Sequence, residues 1–134
     1  MKFLVLAFGE EAKSSALSES EMAALGKQCS AYDEELRQTG RLVASGSLGW
    51  GAKSIRLKGG RLTVTDGPFT ETKELVGGFV IIEAADYGEA IEIASLHPAA
   101  RMGEELGWGI ELRPMEHCQL KQAARELPEP PTRR

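Results

Sequence analysis

The chain has 134 residues and a formal net charge of −4 at pH 7, and 42% of its residues are hydrophobic. This length predicts one globular domain, and this hydrophobic content excludes a disordered chain. The acidic balance argues against a nucleic-acid-binding surface, and no apolar run reaches the ~20 residues of a membrane span.

The first third of the chain predicts a strand, a long helix and a second strand. Residues 3–8 are apolar throughout, which is typical of a strand buried on both faces. Ser18 and Glu21 form a capping-box pattern before a helix that we expect to end at Gly40. Its apolar stripe consists of Met22, Leu25, Cys29, Tyr32 and Leu36. Residues 41–48 predict the second strand.

The two cysteines, Cys29 and Cys118, are too few for the disulfide framework of a secreted domain. The apolar start also lacks a signal-peptide cleavage site, so we expect a cytoplasmic protein. Cys29 lies in the helical stripe, and we interpret it as a structural thiol in the core. Gly26 in the same helix costs about 1 kcal/mol relative to alanine, and we interpret it as a sign of close packing.

A two-residue hairpin follows, with Gly59-Gly60 between residues 54–58 and 61–66. With this loop, the predicted register joins three cross-strand pairs: Leu57 with Leu62, Ile55 with Val64, and Lys53 with Asp66. The apolar pairs share one face of the hairpin, as the pleat requires.

The second half of the chain repeats the order of strand, helix and strand. Residues 75–83 predict a strand in which Gly77-Gly78 indicates a bulge or a close backbone approach. Asp86 and Glu89 predict the start of a helix, which should stop at His97-Pro98. Residues 109–115 alternate as an edge strand does.

This order predicts an α+β, ferredoxin-like domain: βαβ, an inserted hairpin and βαβ around an antiparallel sheet. We place the domain at residues 1–116 and a polar, proline-rich tail at 117–134. Two helices cover only one face of such a sheet, yet residues 3–8 and 79–82 are apolar on both faces. The sequence therefore predicts a homodimer formed through the sheet face.

Common catalytic motifs are missing from the sequence. It contains no glycine-rich nucleotide loop and no zinc-protease helix, and His117-Cys118 lacks metal-ligand spacing. We therefore predict neither a metal nor a cofactor. Trp50 and Trp108 stand among glycines, which favours loop anchoring or interface packing over base stacking, because no basic groove accompanies them.

Two residues are candidates for chemistry, and each has a structural alternative. His97 follows a predicted helix, where it would either cap the C-terminus as a cation or act as a general acid or base. Asp66 begins the Asp-Gly-Pro-Phe turn, where it would either bond to backbone N–H groups or orient His97 or a polar ligand. A carboxylate beside an imidazole would fix its tautomer for acid–base work.

The stretch of residues 64–74, Val-Thr-Asp-Gly-Pro-Phe-Thr-Glu-Thr-Lys-Glu, followed by Gly77-Gly78-Phe79, resembles the signature of the YCII-related, DGPF-motif family. The resemblance extends over residues 1–116. It implies a dimeric α/β-barrel fold and a His–Asp pair in a pocket, here His97 and Asp66. Phe69, Thr70 and Lys73 become candidate ligand-binding residues. Members are often encoded beside, or fused to, sigma factors.

Two functions are consistent with these observations. In the first, the protein is a small enzyme that binds a metabolite, and His97 and Asp66 perform an isomerase-like or lyase-like proton transfer. In the second, it is a non-catalytic dimeric module that senses a ligand or regulates a sigma factor, because no nucleophile, base and orienting group form a complete set in the sequence.

Overall fold

The computed structural model describes residues 1–68 and 73–120. A four-stranded antiparallel sheet carries helices on one face, here called the inner face, and a two-stranded hairpin forms a sheet of its own. The elements in chain order are β1 (Lys2–Glu10), α1 (Glu11–Ser15), α2 (Glu19–Gln38), β2 (Leu42–Ser47), β3 (Lys53–Lys58), β4 (Arg61–Asp66), β5 (Glu74–Glu83), α3 (Tyr87–Ala94), α4 (Pro98–Arg101), a 3₁₀ turn (Glu104–Leu106) and β6 (Gly109–Pro114).

The larger sheet has the strand order β2-β5-β1-β6, and each neighbouring pair is antiparallel. The first βαβ half supplies β1 and β2, and the second half supplies β5 and β6. In the sheet β2 lies next to β5 and β6 lies next to β1, so strands of the two halves alternate. The hairpin β3–β4 is inserted between β2 and β5. The predicted ferredoxin-like α+β fold is therefore confirmed, and β6 is an edge strand as expected.

Alternate residues of the central strands build the core on the inner face. Phe3 and Val5 of β1 lie opposite Ile82 and Val80 of β5, and all four are buried. They pack against the helices through four further buried residues: Leu36 of α2 and Ala90, Ile93 and Ala94 of α3. Side chains on the other face, such as Leu4 and Leu6, are only half-buried. The helices thus cover one face of the sheet, as the sequence predicts.

The local sequence signals produce the expected contacts at the start of α2. The Glu21 N–H donates to the Ser18 hydroxyl at 3.2 Å, and the Ser18 N–H donates to the Glu21 carboxylate at 3.0 Å. Each side chain therefore satisfies a backbone donor that the first helical turn leaves unpaired. Gly40 follows the helix with a φ of 70°, in the left-handed region that glycine tolerates best.

The hairpin and the bulge also form as predicted. All three cross-strand pairs expected for β3 and β4 are present in the register. In the sheet, Ala7 lies opposite Gly78 and Phe8 lies opposite Val76, so Gly77 is the extra residue of a bulge in β5.

Two expectations for α2 are wrong. Leu36 is the only residue of this helix that is buried, whereas Cys29 is half-buried and Met22 is 52% exposed. The stripe lines a cavity instead of filling the core, as described below. No atom lies within 4 Å of the position that a Cβ would take at Gly26, so close packing does not explain this glycine.

The predicted tail at 117–134 lies mostly outside the described residues, which end at Leu120. None of the helices in the described ranges combines the length and the apolar character needed to cross a membrane.

Alanine substitutions at Gly26 and at Gly40 distinguish the low helix propensity of glycine from its tolerance of a positive φ. Both positions have open space for a Cβ, but only Gly40 has a positive φ. Gly26→Ala should raise the free energy of unfolding by about 0.5–1 kcal/mol, because alanine favours a helix. Gly40→Ala should lower it by about 1–2 kcal/mol, because the left-handed conformation strains an L side chain. Urea denaturation measures both, and changes of the same sign would contradict this account.

Candidate functional site

A cavity of about 490 Å³ lies between α2 and the inner face of the sheet. Its apolar and aromatic lining includes residues of β1, β2, β5 and α2 and of the loops that carry Trp50 and Trp108. Its polar lining includes Cys29, Asp33 and Arg37 of α2, Ser45 of β2 and His97. The stripe of α2 is therefore uncovered because it forms one wall of this cavity.

Two tryptophans converge on Gly9 near the end of β1. A Cβ at Gly9 would lie 3.1 Å from Cδ1 of Trp108 and 3.6 Å from Cη2 of Trp50. A Cβ at Gly9 would therefore press on the Trp108 indole and would touch Trp50 at an ordinary contact distance. Gly103 has a φ of 78°, and a Cβ there would overlap the Trp108 indole. Glycines at these two positions make room for an aromatic wall.

His97 lies between two helices and begins the second one. The expectation that it caps the C-terminus of a helix as a cation is wrong, because α3 ends at Ala94 and His97 is the N-cap of α4. Its Nδ1 accepts a hydrogen bond from the Ala99 N–H at 3.0 Å. Pro98 supplies the first helical position, where a missing N–H costs nothing. Pro98 is therefore well suited to be the first residue of α4.

The surroundings of His97 keep the imidazole neutral. Burial lowers the pKa of His97 below its ordinary value of 6.5, while the negative charge of Asp33 acts in the opposite direction. A nitrogen that accepts a hydrogen bond carries no proton, so the neutral ring holds its proton on Nε2. Among the described residues, none accepts a hydrogen bond from Nε2. His97 therefore offers the cavity a neutral N–H donor.

Asp33 brings a carboxylate into the same cavity from α2. It follows Cys29 by one helical turn, and both residues line the cavity. Burial raises the pKa of the Cys29 thiol, and the charge of Asp33 raises it further. Cys29 is consequently a thiol at neutral pH rather than a nucleophilic thiolate.

Contacts on either side of Asp33 fix α4 against α2. Arg101 in α4 binds the Glu35 carboxylate at 2.6 Å, and its guanidinium lies 4.2 Å from the centre of the Tyr32 ring. These contacts combine an ion pair with a cation–π interaction. They set the position of the short helix that His97 begins.

The comparison with known families agrees with this architecture. The family model of the YCII-related domain matches residues 1–106. The chain belongs to the YCII-related family. The resemblance seen in the sequence is thereby confirmed.

Two proteins illustrate what this chain is similar to. An uncharacterised protein of Rhizobium meliloti (strain 1021) is 34% identical over 96 residues, which cover 70% of this chain and 77% of that protein. The solved structure of the 5-chloro-2-hydroxyhydroquinone dehydrochlorinase TftG from Burkholderia phenoliruptrix AC1100, in complex with 2,5-dihydroxybenzoquinone, matches with a TM-score of 0.49. That match has 18% identity and covers 88% of this chain and 96% of the dehydrochlorinase.

The structure places Asp66 apart from His97 within one chain. The Asp66 side chain is 86% exposed, forms an ion pair with Lys53 across the hairpin and does not line the cavity. Lys73 is also exposed and is not among the lining residues. Phe69 and Thr70 lie outside the described residues. Of the candidate residues from the sequence that the structure describes, only His97 lines the cavity.

Sequence reasoning missed Asp33 and the role of the tryptophans. Asp33 lies beside the apolar stripe, where a charged residue of an exposed helix is usually solvated. The available signal was its spacing, because Cys29, Asp33 and Arg37 recur every four residues. The glycines beside both tryptophans favoured loop anchoring or interface packing, but they did not indicate that both rings approach Gly9.

No group of three or more His, Cys, Asp or Glu residues within 1–68 and 73–120 has the arrangement to hold a metal ion.

The pKa of His97 tests which carboxylate acts on it. Asp33→Asn should lower this pKa further, because it removes a negative charge that stabilises the imidazolium. Asp66→Asn is the matched control and should leave the pKa unchanged. NMR titration in a His117→Gln background reports His97 alone, since the chain has two histidines. A shift with Asp66→Asn and none with Asp33→Asn would instead support the pair predicted from the sequence.

Proposed function

We propose that the cavity binds a small planar molecule that bears an oxygen acceptor, and that His97 donates its Nε2–H to that oxygen in a proton-transfer reaction. The observation that supports this most directly is the hydrogen bond from the Ala99 N–H to Nδ1 of His97. It leaves a neutral ring with a single donor in a cavity with aromatic walls.

The size and the lining of the cavity support a ligand of this class. Its volume of about 490 Å³ lies within the range of roughly 300–1,000 Å³ that is typical of small-molecule sites. Trp50 and Trp108 provide flat apolar surfaces, and offset or edge-to-face contacts with them favour an aromatic or conjugated ring. His97 would orient the ring through one oxygen, beside the polar lining residues of α2 and β2.

The reaction class follows from the protonation state of His97. Removing a proton from carbon beside a carbonyl, or from a phenol, places negative charge on oxygen. A neutral imidazole N–H stabilises such an oxygen without first having to lose a proton, as in other enzymes whose histidine is kept neutral. Because Nδ1 is occupied by the Ala99 N–H, His97 is suited to donate to oxygen and unsuited to accept a proton. This assigns His97 the acid side of the proposed acid–base pair.

The remaining candidate residues from the sequence would contribute to this cavity only if a second chain brought them to it. Within one chain Asp66 pairs with Lys53, so its pairing with His97 stays a prediction that requires the hairpin of a partner. A ligand-binding role for Phe69, Thr70 and Lys73 likewise stays a prediction, as does the cytoplasmic location.

We also propose that a second copy of the chain covers the hairpin and the outer face of the sheet. Four aliphatic side chains on one face of β3 and β4 are 59–76% exposed: Ile55, Leu57, Leu62 and Val64. An isolated two-stranded sheet is marginally stable in water, and such an apolar face favours association. The half-buried Leu4 and Leu6 on the outer face would extend this interface.

Tryptophan fluorescence provides a binding assay, because the chain has two tryptophans and both line the cavity. Catechol, 4-hydroxybenzoate and phenylpyruvate should quench it saturably, whereas cyclohexanol should not. His97→Asn retains a side-chain acceptor for the Ala99 N–H but removes the imidazole donor. This variant should bind the quenching compounds about threefold to tenfold more weakly, because one hydrogen bond is lost. Its affinity for toluene, which has no oxygen, should be unchanged. Absence of quenching by all three oxygenated compounds would refute the proposal.

The molar mass in solution tests the proposed dimer. Light scattering at micromolar concentration should give twice the chain mass of 14.5 kDa. Introducing charge with Leu57→Lys and Leu62→Lys should yield monomers, because the lysines would place buried charges in the interface. Ile91→Lys, on α3, is the matched control at a similarly exposed aliphatic residue and should leave the dimer intact. A monomeric mass for the unmodified protein would rule out the dimer.

A further inference from the structure

We propose that Asp33 is the proton acceptor of this cavity and acts on a carbon next to the carbonyl whose oxygen His97 binds. This inference rests on the proposed function and extends it, because it names the base and restricts the ligand to enolisable aryl carbonyl compounds. It replaces Asp66 by a carboxylate that the same chain places in the cavity with His97.

The ion pairs around Asp33 leave its carboxylate available. Glu34 binds Arg37 at 2.8 Å, and Glu35 binds Arg101 at 2.6 Å. Arg37 and Arg101 are thus paired with the two residues that follow Asp33 in the sequence. Within the described part of the chain, Asp33 itself forms no ion pair. The residue is exposed at the cavity wall, so its carboxylate is open to an incoming ligand and can accept a proton.

The titratable groups around the cavity leave Asp33 as the base and His97 as the hydrogen-bond donor. The titratable or charged residues that line the cavity are Cys29, Asp33 and Arg37 of α2 and His97 itself, and the sheet contributes serines but no charged side chain within the described ranges. The Cys29 thiol keeps its proton because burial raises its pKa. Arg37 carries a permanent positive charge and accepts no proton. Asp33 is therefore the one described lining residue that is suited to act as a base opposite the N–H of His97.

The proposed step is balanced without any further reactant. The Asp33 carboxylate takes the proton from the carbon beside the carbonyl and becomes a carboxylic acid. The C–H electron pair forms the carbon–carbon double bond of an enolate, and the carbonyl π electrons move to oxygen. The Nε2–H of His97 stabilises the oxygen, and the protonated Asp33 returns the proton to carbon or passes it to the oxygen through water. The products are the keto and enol tautomers, which differ only in the position of one proton.

Arg101 is a positioning residue in this arrangement. It holds α4 on α2 through Glu35 and Tyr32, which flank Asp33 on the helix. Arg101→Ala should therefore move the pKa of His97, since the distance between the imidazole and Asp33 changes. A purely structural role would change stability and leave this pKa where it is.

Phenylpyruvate is the probe, because its ring suits the tryptophans, its keto oxygen suits His97 and its benzylic carbon carries the acidic protons. We expect the protein to accelerate deuterium incorporation at this carbon in D₂O, measured by proton NMR above the uncatalysed rate. Asp33→Asn should lower the protein-dependent rate about a hundredfold or more, as loss of a general base does. Quenching of tryptophan fluorescence by phenylpyruvate should persist in this variant. Asp33→Glu should restore part of the rate, and the control Glu92→Gln, at an exposed carboxylate of α3 outside the cavity, should retain all of it.

Each outcome has a distinct meaning. Equal exchange rates in Asp33→Asn and the unmodified protein would overturn the role of Asp33. Quenching by phenylpyruvate without catalysed exchange would overturn this inference and leave the proposed function standing. Quenching by the phenols without quenching by phenylpyruvate would overturn the enolisable ligand class. Absence of quenching by every compound of the set would overturn the proposed function and this inference together.

Discussion

The hydrogen bond from the Ala99 N–H to Nδ1 of His97 determines the chemistry available to the cavity. It exists because Pro98 begins a short helix directly after His97, which leaves a backbone donor for the imidazole to satisfy. The bond fixes the ring orientation and places the proton on Nε2. Burial adds to this by lowering the pKa of His97, which favours the neutral ring and its N–H donor at neutral pH.

The burial of His97 links the site to stability. The pKa of His97 lies below its ordinary value in the folded chain, so the unfolded chain takes up a proton first as the pH falls. Stability is therefore complete above about pH 6.5 and decreases below it, until the pH reaches the folded-state pKa. The contacts of Arg101 with Glu35 and Tyr32 matter for the same reason, because they hold α4 where this burial and the field of Asp33 act on the ring.

Much of the fold could be predicted because it depends on local patterns. The capping box of Ser18, the hairpin around Gly59-Gly60 and the bulge at Gly77 are determined by residues only a few positions apart. The order of elements then admits few topologies, so the strand order of the sheet followed from it.

The site was harder to predict because it depends on how separate elements pack. His97-Pro98 is equally compatible with the end of one helix and the start of another, and only the packing of α4 against α2 decides between them. Asp33 is one of several charged residues on α2, and its position at the cavity depends on the crossing of that helix over the sheet. The signature around Asp66 drew attention to the hairpin, whereas neither Asp66 nor its partner Lys53 lines the chain's own cavity.

The protonation of His97 is the most direct test of this account. Nitrogen-15 NMR of the histidine ring distinguishes a protonated nitrogen from one that only accepts a hydrogen bond, without any need for a substrate. At neutral pH the account predicts a neutral ring with the proton on Nε2 and an unprotonated Nδ1 that accepts from the Ala99 N–H. An imidazolium at neutral pH, or a proton on Nδ1, would contradict it.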